Sequence, residues 1–203
     1  MITVIAGVDG AGKSSIAGAN LRARGGDYFN PDEVTRELLK NDASMTLDEA
    51  NTQAWRLGFD QLNRAIDNKD SYSFETTLGG ESICSALHRA IDGGRQVSIF
   101  YCGLSSVELH IERVAARVAQ GGHDIPEQKI RERWQNSIVN LIGLISSCYA
   151  VRVFDNSAPS DSGGPNPVCL FSVNNGKFVE SPIPEMPEWA KPLAGAALKR
   201  VFG

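Results

Sequence analysis

The sequence predicts an α/β fold with three layers, in which helices cover both faces of a parallel β-sheet. Short apolar segments alternate along the chain with segments of helical periodicity, which is the order that crossover connections between parallel strands produce. The first segment, Ile2–Ala6, is an unbroken run of apolar and β-branched residues, as expected for a strand buried on both faces. A glycine-rich loop and a helix follow it at once.

Five strands are predicted for the sheet, in the order 2-3-1-4-5. After Ile2–Ala6 they lie near residues 28–30, 71–74, 96–102 and 151–154. Two further short segments, 168–173 and 177–179, flank Asn174-Asn175-Gly176. Asparagine and glycine favour the backbone of a tight turn. The sequence therefore predicts a small C-terminal hairpin beyond the sheet.

The predicted helices carry start signals. Thr46 and Glu49 have the spacing of a capping box, as have Ser105 and Glu108, and Pro31 suits the first turn of a helix. The helices are expected to cover about residues 14–21, 32–39, 46–68, 82–92, 105–118 and 127–146.

Length and composition favour one globular domain over residues 1–203, with a core at 1–157 and a loop, hairpin and tail at 158–203. The net charge of −4 gives no overall basic field for nucleic acid or an anionic membrane. The longest apolar stretch, 141–145, is too short to span a bilayer. The four cysteines are too far apart in sequence for a disulfide framework or a paired zinc site. We therefore expect a cytoplasmic protein with neither nucleic acid nor membrane as a partner.

Residues 7–14, Gly-Val-Asp-Gly-Ala-Gly-Lys-Ser, fit the phosphate-loop pattern G-x-x-x-x-G-K-[ST]. Glycines let successive backbone N–H groups point at an anion, and the N-terminus of the next helix adds partial positive charge. In such loops the lysine bridges the β- and γ-phosphates and the serine hydroxyl binds Mg²⁺. The sequence therefore predicts a site for ATP or GTP with Mg²⁺, with Ser14 as metal ligand, formed by Gly7, Asp9, Gly10, Ala11, Gly12, Lys13, Ser14 and Ser15.

Two common classes of phosphate-loop protein lack their signatures in this chain. A regulatory GTPase has N-K-x-D for the guanine base, whereas Asn68-Lys69-Asp70 is followed by Ser71, so that the aspartate comes one place early. A motor ATPase has an acid at the end of an apolar strand, whereas the strand at 97–102 ends at Gly103. A small-molecule kinase remains.

Several segments resemble the zeta-toxin-like P-loop kinases in order and spacing. Besides the phosphate loop they are residues 29–33 (Phe-Asn-Pro-Asp-Glu), 74–78 (Phe-Glu-Thr-Thr-Leu) and 121–127 (Gly-Gly-His-Asp-Ile-Pro-Glu), and 130–133, 137–141 and 154–157 also fit. The resemblance covers residues 2–157. It implies a P-loop kinase that transfers the γ-phosphate of Mg-ATP to a hydroxyl of a small acceptor. The family acts on UDP-N-acetylglucosamine-type sugars, and its toxins are held silent by an antitoxin protein.

Two acids are expected at the sheet edge where the phosphate loop opens. Asp32 follows the second predicted strand and Glu75 ends the third. The resemblance implies that Asp32 is the general base for the acceptor hydroxyl and that Glu75 organises metal and substrate. A glutamate at this position loses hydration unless Mg²⁺, water or substrate compensates. Thr76 and Thr77 are candidates for binding the polar groups of the acceptor, together with both acids.

A γ-phosphate in transfer needs positive charge that can move with it. The glycine pair at 121–122 is flanked by four arginines that resemble the lid of small kinases: Arg113, Arg117, Arg131 and Arg133. We favour Arg117 and Arg131 as catalytic residues, together with Lys13. Arg113 is expected to stack on adenine, and Asn156 to contact the adenine side of the nucleotide.

Alternative functions remain open at this stage. The stretch Val-Asp-Gly-Ala-Gly-Lys at residues 8–13 also resembles thymidylate kinases, although the D-R-[YH] signature of that family is missing. The acceptor could thus be a nucleoside or nucleotide. A second class is a nucleotide-binding toxin or sensor with little turnover of its own, controlled by a partner protein.

Overall fold

The computed structural model of the chain describes residues 1–18, 21, 22, 25–159 and 166–203, without the side chain of residue 17. The predicted loop that opens the C-terminal part lies partly outside the described residues. None of the described helices combines the length and the apolar sequence that a membrane span requires.

The described strands form a mixed sheet. They are β1 (Ile2–Ala6), β2 (Tyr72–Thr76), β3 (Val97–Gly103), β4 (Ala150–Asp155), β5 (Val168–Asn174) and β6 (Lys177–Glu180). Their order in space is β2-β1-β3-β4-β5-β6. The first four in this order run parallel, and β5 and β6 are antiparallel to their neighbours.

The helices are α1 (Pro31–Asn41), α2 (Leu47–Asp67), α3 (Glu81–Asp92), α4 (Val107–Ala119), α5 (Glu127–Ile145) and α6 (Lys191–Phe202). A short π-helical segment, Ser14–Gly18, follows the phosphate loop, and a 3₁₀ turn, Glu188–Ala190, precedes α6. The capping box of Thr46 and Glu49 is formed as predicted. The box predicted for Ser105 and Glu108 is wrong, because Ser106 caps α4 by accepting a hydrogen bond from the Leu109 amide.

The prediction of a three-layer α/β fold is confirmed. A large apolar cluster on one face of the sheet joins β1–β5 to α2, α3, α5 and α6. Smaller clusters on the other face bring Ile16 against Ala11 and Cys102, and Tyr28 against Ile5. Both faces of the parallel strands are therefore covered, as their apolar sequences require.

The predicted five-stranded parallel sheet is wrong in its strand details. The second predicted strand, 28–30, makes only a single parallel bridge, between Phe29 and Phe74. It ends there because the Asn30 side chain accepts a hydrogen bond from the Asp32 amide and caps α1, and Pro31 has no amide hydrogen to donate.

The predicted C-terminal hairpin forms, but it extends the main sheet beyond β4. Its turn places Asn175 and Gly176 at φ +47° and +73°, which is the backbone of a type I′ turn. The sheet is consequently mixed and has six strands in the described residues.

Candidate active site

The phosphate loop runs from the end of β1 into the π-helical segment, and three of its glycines have positive φ. These values are +142° at Gly7, +80° at Gly10 and +83° at Gly12. A Cβ at Gly7 would lie 2.2 Å from the Cys102 carbonyl oxygen, and one at Gly12 would lie 2.5 Å from Asn156 Nδ2. The loop therefore requires glycine at these positions for both its conformation and its packing.

Three side chains meet where the loop joins the sheet. The Ser14 hydroxyl donates a hydrogen bond of 2.7 Å to Glu75 Oε2, and Lys13 Nζ lies 3.5 Å from Glu75 Oε1. Register pairing of Glu75 with Ile5 of β1 brings the glutamate beside the loop. Lys13 and Glu75 are only 8% and 9% exposed, so each compensates the charge of the other in a poorly hydrated place.

This cluster fits a magnesium ion. Hydroxyl and carboxylate oxygens are the protein ligands that Mg²⁺ prefers, and the Ser14 and Glu75 oxygens already adjoin one another. Mg²⁺ at such a site also takes oxygens from the nucleotide phosphates and from water. Two protein oxygens beside the phosphate loop are therefore a suitable donor set.

A second charged pair lies on the other side of the loop. The Asp9 carboxylate, 11% exposed in its side chain, contacts Arg133 of α5 at 2.8 Å. Burial alone would raise the pKa of Asp9, but the positive charges of Lys13 and Arg133 outweigh it and hold that pKa below its ordinary value. Asp9 is therefore an anion within the phosphate loop.

His110 of α4 supports the same part of the loop. Its Nδ1 lies 2.7 Å from the backbone oxygen of Asp9, and the residue is only 1% exposed. Burial lowers the pKa of His110 to about 4, so the imidazole is neutral at pH 7 and donates its Nδ1 hydrogen to that oxygen.

Asp32 lies in the first turn of α1, with its side chain 47% exposed. Arg117 of α4 approaches it at 3.9 Å and also donates a hydrogen bond to the His123 carbonyl oxygen. The Nε of Arg117 is buried and has no hydrogen-bond partner among the described residues. Arg117 thus joins the loop that follows α4 to the acid predicted to be the base.

The remaining predicted residues differ in what they contact. Arg131 is held by Glu108 and Glu127, with distances of 3.0 and 2.8 Å, whereas Arg133 reaches the phosphate loop. Arg113 donates to the Ser157 and Ala158 carbonyl oxygens.

Asn156, expected to contact the adenine side of the nucleotide, contacts the backbone of the phosphate loop in the structure. Its side chain is buried beneath the phosphate loop and donates a hydrogen bond to the Ala11 carbonyl oxygen.

Thr76 and Thr77 each accept a hydrogen bond from the backbone amide two residues later, so their hydroxyl oxygens shape the turn after β2. Ser15 is exposed at the surface.

Sequence reasoning missed His110 and gave Arg133 no separate role. Both act on Asp9 across more than a hundred residues of sequence. The acid in the phosphate loop was the available signal, because a buried carboxylate beside phosphates requires a cation nearby.

The sequence model of the zeta toxin family matches residues 1–159. The chain belongs to the zeta toxin family. A protein of uncharacterised function from Haemophilus influenzae is 29% identical to it over 133 residues, which are 63% of this chain and 88% of that protein.

Solved structures share the fold of this zeta toxin family member. A chain of the AvrRxo1-ORF1:-ORF2 crystal structure with ATP matches it with a TM-score of 0.66 and 18% identity, over 97% of this chain and 63% of that one. A chain of the PezAT toxin–antitoxin system from Streptococcus pneumoniae matches with a TM-score of 0.57 and 13% identity, over 99% and 84%. This chain thus covers less than two thirds of the AvrRxo1 chain. The likenesses confirm a P-loop kinase fold.

Proposed function

We propose that the protein is a phosphotransferase that moves the γ-phosphate of Mg-ATP to a hydroxyl of a small acceptor. The cluster of Lys13, Ser14 and Glu75 carries this proposal, since it combines a cation for phosphates with oxygens for magnesium. A glycine turn without a ligand would have no need for a buried lysine and a buried glutamate in contact. The ATP-bound AvrRxo1 structure, which has the same fold, supports ATP as the nucleotide.

The backbone amides of the loop and the Lys13 ammonium would bind the β- and γ-phosphates. Ser14 and Glu75 would hold the magnesium ion, which when bound neutralises phosphate charge. Gly7, Gly10 and Gly12 contribute by letting the backbone approach the phosphates closely. Binding therefore fixes the γ-phosphorus for attack.

In the transfer step the acceptor oxygen forms a bond to the γ-phosphorus, and the bond from that phosphorus to the β,γ-bridging oxygen breaks. ADP leaves with the bonding electrons, and the acceptor hydroxyl gives its proton to the Asp32 carboxylate. A weak base is sufficient here, because phosphoryl transfer passes through a loose transition state in which positioning supplies most of the catalysis. Arg117, beside Asp32, would stabilise the charge of the migrating group.

Asp32→Asn tests the proposed base. The substitution removes the proton acceptor but changes neither the loop nor its lysine, so transfer should fall by about two to four orders of magnitude while ATP affinity is retained. The matched control is Glu37→Gln, which removes one negative charge from an exposed position of the same helix. Rates are measured as ADP release with acceptor present. Full activity of Asp32→Asn would contradict the assignment.

The acceptor is best sought with a ³¹P NMR screen of the protein with Mg-ATP. We include UDP-amino sugars, nucleosides and nucleotides in the panel, because the family resemblance favours the first and the sequence at 8–13 the others. A new phosphate ester signal identifies the acceptor, and its chemical shift distinguishes a monoester from a diphosphate.

A second candidate function is a nucleotide-binding toxin controlled by a partner protein. The PezAT structure is that of a toxin–antitoxin system. Because this chain has the same fold, that likeness favours an antitoxin-type partner for it. Trp55 of α2 is nearly half exposed and offers apolar surface for such a contact. ATP binding with no turnover on any acceptor, in the free protein, would favour this second function.

A further inference from the structure

One face of α5 contacts the turn that follows Glu75. Arg133, Ser137 and Asn140 share this face, because they are four and three residues apart. The Ser137 hydroxyl donates to the Thr77 carbonyl oxygen at 2.8 Å, and Asn140 Nδ2 donates to the Leu78 carbonyl oxygen at 2.8 Å. These bonds anchor residues 77–80, which we call the β2–α3 loop.

The β2–α3 loop needs such an anchor. Leu78 has a φ of +56°, a left-handed conformation that costs free energy for any residue with a Cβ. Leu78 and Ser137 are completely buried, so the carbonyl oxygens around them depend on protein donors. The backbone directly after Glu75 is therefore fixed by α5.

Arg133 contacts this loop and the phosphate loop at once. A Cβ at Gly79 would lie 2.9 Å from Arg133 Cγ and 3.1 Å from its Cα and Cβ, so the arginine stem packs directly on the glycine. The guanidinium at the far end pairs with Asp9 at 2.8 Å. A single side chain therefore spans from one loop to the other.

We propose that α5 is a brace that fixes the β2–α3 loop and the phosphate loop relative to each other, with Arg133 as the positioning residue that joins them. The inference rests on the proposed function, since these two loops would carry the acceptor contacts and the ATP phosphates. Arg133 acts through Asp9, whose carboxylate lies among amides that attract anions. When Arg133 pairs with this carboxylate, the two charges cancel and the triphosphate is not repelled. Without Arg133 the negative charge of Asp9 repels the triphosphate.

The brace predicts that a methyl group in one loop weakens binding in the other. Gly79→Ala pushes the body of Arg133 away from the turn and off Asp9, and should weaken binding of a magnesium-bound, non-hydrolysable ATP analogue by about tenfold. The matched control is Gly80→Ala, where a Cβ meets no atom within 4 Å. Calorimetry of the folded proteins gives both affinities. Equal affinities for Gly79→Ala and Gly80→Ala would overturn the brace.

A charge cycle tests the same idea without adding an atom to either loop. Arg133→Gln leaves Asp9 unpaired and should weaken analogue binding by about tenfold, whereas Asp9→Asn combined with Arg133→Gln should restore it to within about threefold of wild type. An arginine that merely touches the phosphates gives no such rescue. A double variant as weak as Arg133→Gln alone would therefore overturn the positioning role.

These measurements need no acceptor, so they separate the brace from the proposed function. Wild-type protein that fails to bind the analogue contradicts the proposed function and the brace together. Wild-type protein that binds, with Gly79→Ala binding equally well, contradicts the brace alone.

Discussion

Two charged pairs lie beside the phosphate loop at hydrogen-bond or ion-pair distance. Lys13 and Glu75 compensate one another, and Asp9 pairs with Arg133. An unpaired charge in this poorly hydrated region would cost several kcal/mol. His110 avoids that cost by remaining neutral, since burial holds its pKa at about 4. Glu75, Arg133 and His110 therefore hold the loop through contacts from outside its own sequence.

His110 makes the stability of the protein depend on pH. The unfolded chain protonates this histidine below its ordinary pKa of 6.5, but the folded protein does so only near 4. The unfolding free energy should therefore fall as the pH is lowered from 6.5 towards 4, by about 2 to 3 kcal/mol from this residue. Urea unfolding at pH 7 and 4.5 measures the fall. In His110→Gln the unfolding free energy should fall less between these two pH values, because the contribution of the histidine is gone. An equal fall in both proteins would contradict the lowered pKa of His110.

At the scale of elements, local patterns predicted the core strands, the Thr46 capping box and the hairpin. Local patterns failed where a residue far away in sequence determines the local structure. Ser105 could have capped α4, but its amide donates to Ser157, 52 residues away, and Ser106 is the cap instead. Windows of a few residues contain no information about such partners. The pairing of Arg133 with Asp9 escaped prediction for the same reason, since the two residues are 124 apart in sequence.

The end of β3 is packed against the C-terminal tail. A Cβ at Gly103 would lie 2.2 Å from the Trp189 ring, whose Nε1 donates to Asp155 of β4. Gly103→Ala should therefore displace the tryptophan and lower the unfolding free energy by about 1 to 3 kcal/mol.

The control for this prediction is Gly195→Ala in α6. A Cβ at Gly195 meets no atom within 4 Å, and the substitution should raise the unfolding free energy by about 0.5 to 1 kcal/mol through helix propensity. Urea unfolding checks both variants. A Gly103→Ala protein as stable as wild type would show that the ring can move without cost.

On the scale of the whole molecule, residues beyond the family match at 1–159 contribute to the same apolar core as the residues within it. Leu170 and Phe171 of β5 and Leu193 of α6 are buried in the main apolar cluster with β1 and β3. This shared cluster supports our proposal that residues 1–203 form one domain. The turn residues predicted the hairpin, but they did not predict that the hairpin would join the main sheet. Local sequence carries no information about which strand β5 pairs with, and in the structure that strand is β4.

The proposed function requires that the glycine-lined loop with Lys13 binds a nucleotide. The most direct measurement is a calorimetric titration of wild-type protein and Lys13→Ala with ATP and Mg²⁺, without acceptor. We expect one binding site in the wild type and affinity lower by about a hundredfold in Lys13→Ala, since a buried charge-assisted phosphate contact is lost. Absence of binding to the wild type, or equal affinity of the two proteins, would contradict nucleotide binding by this loop.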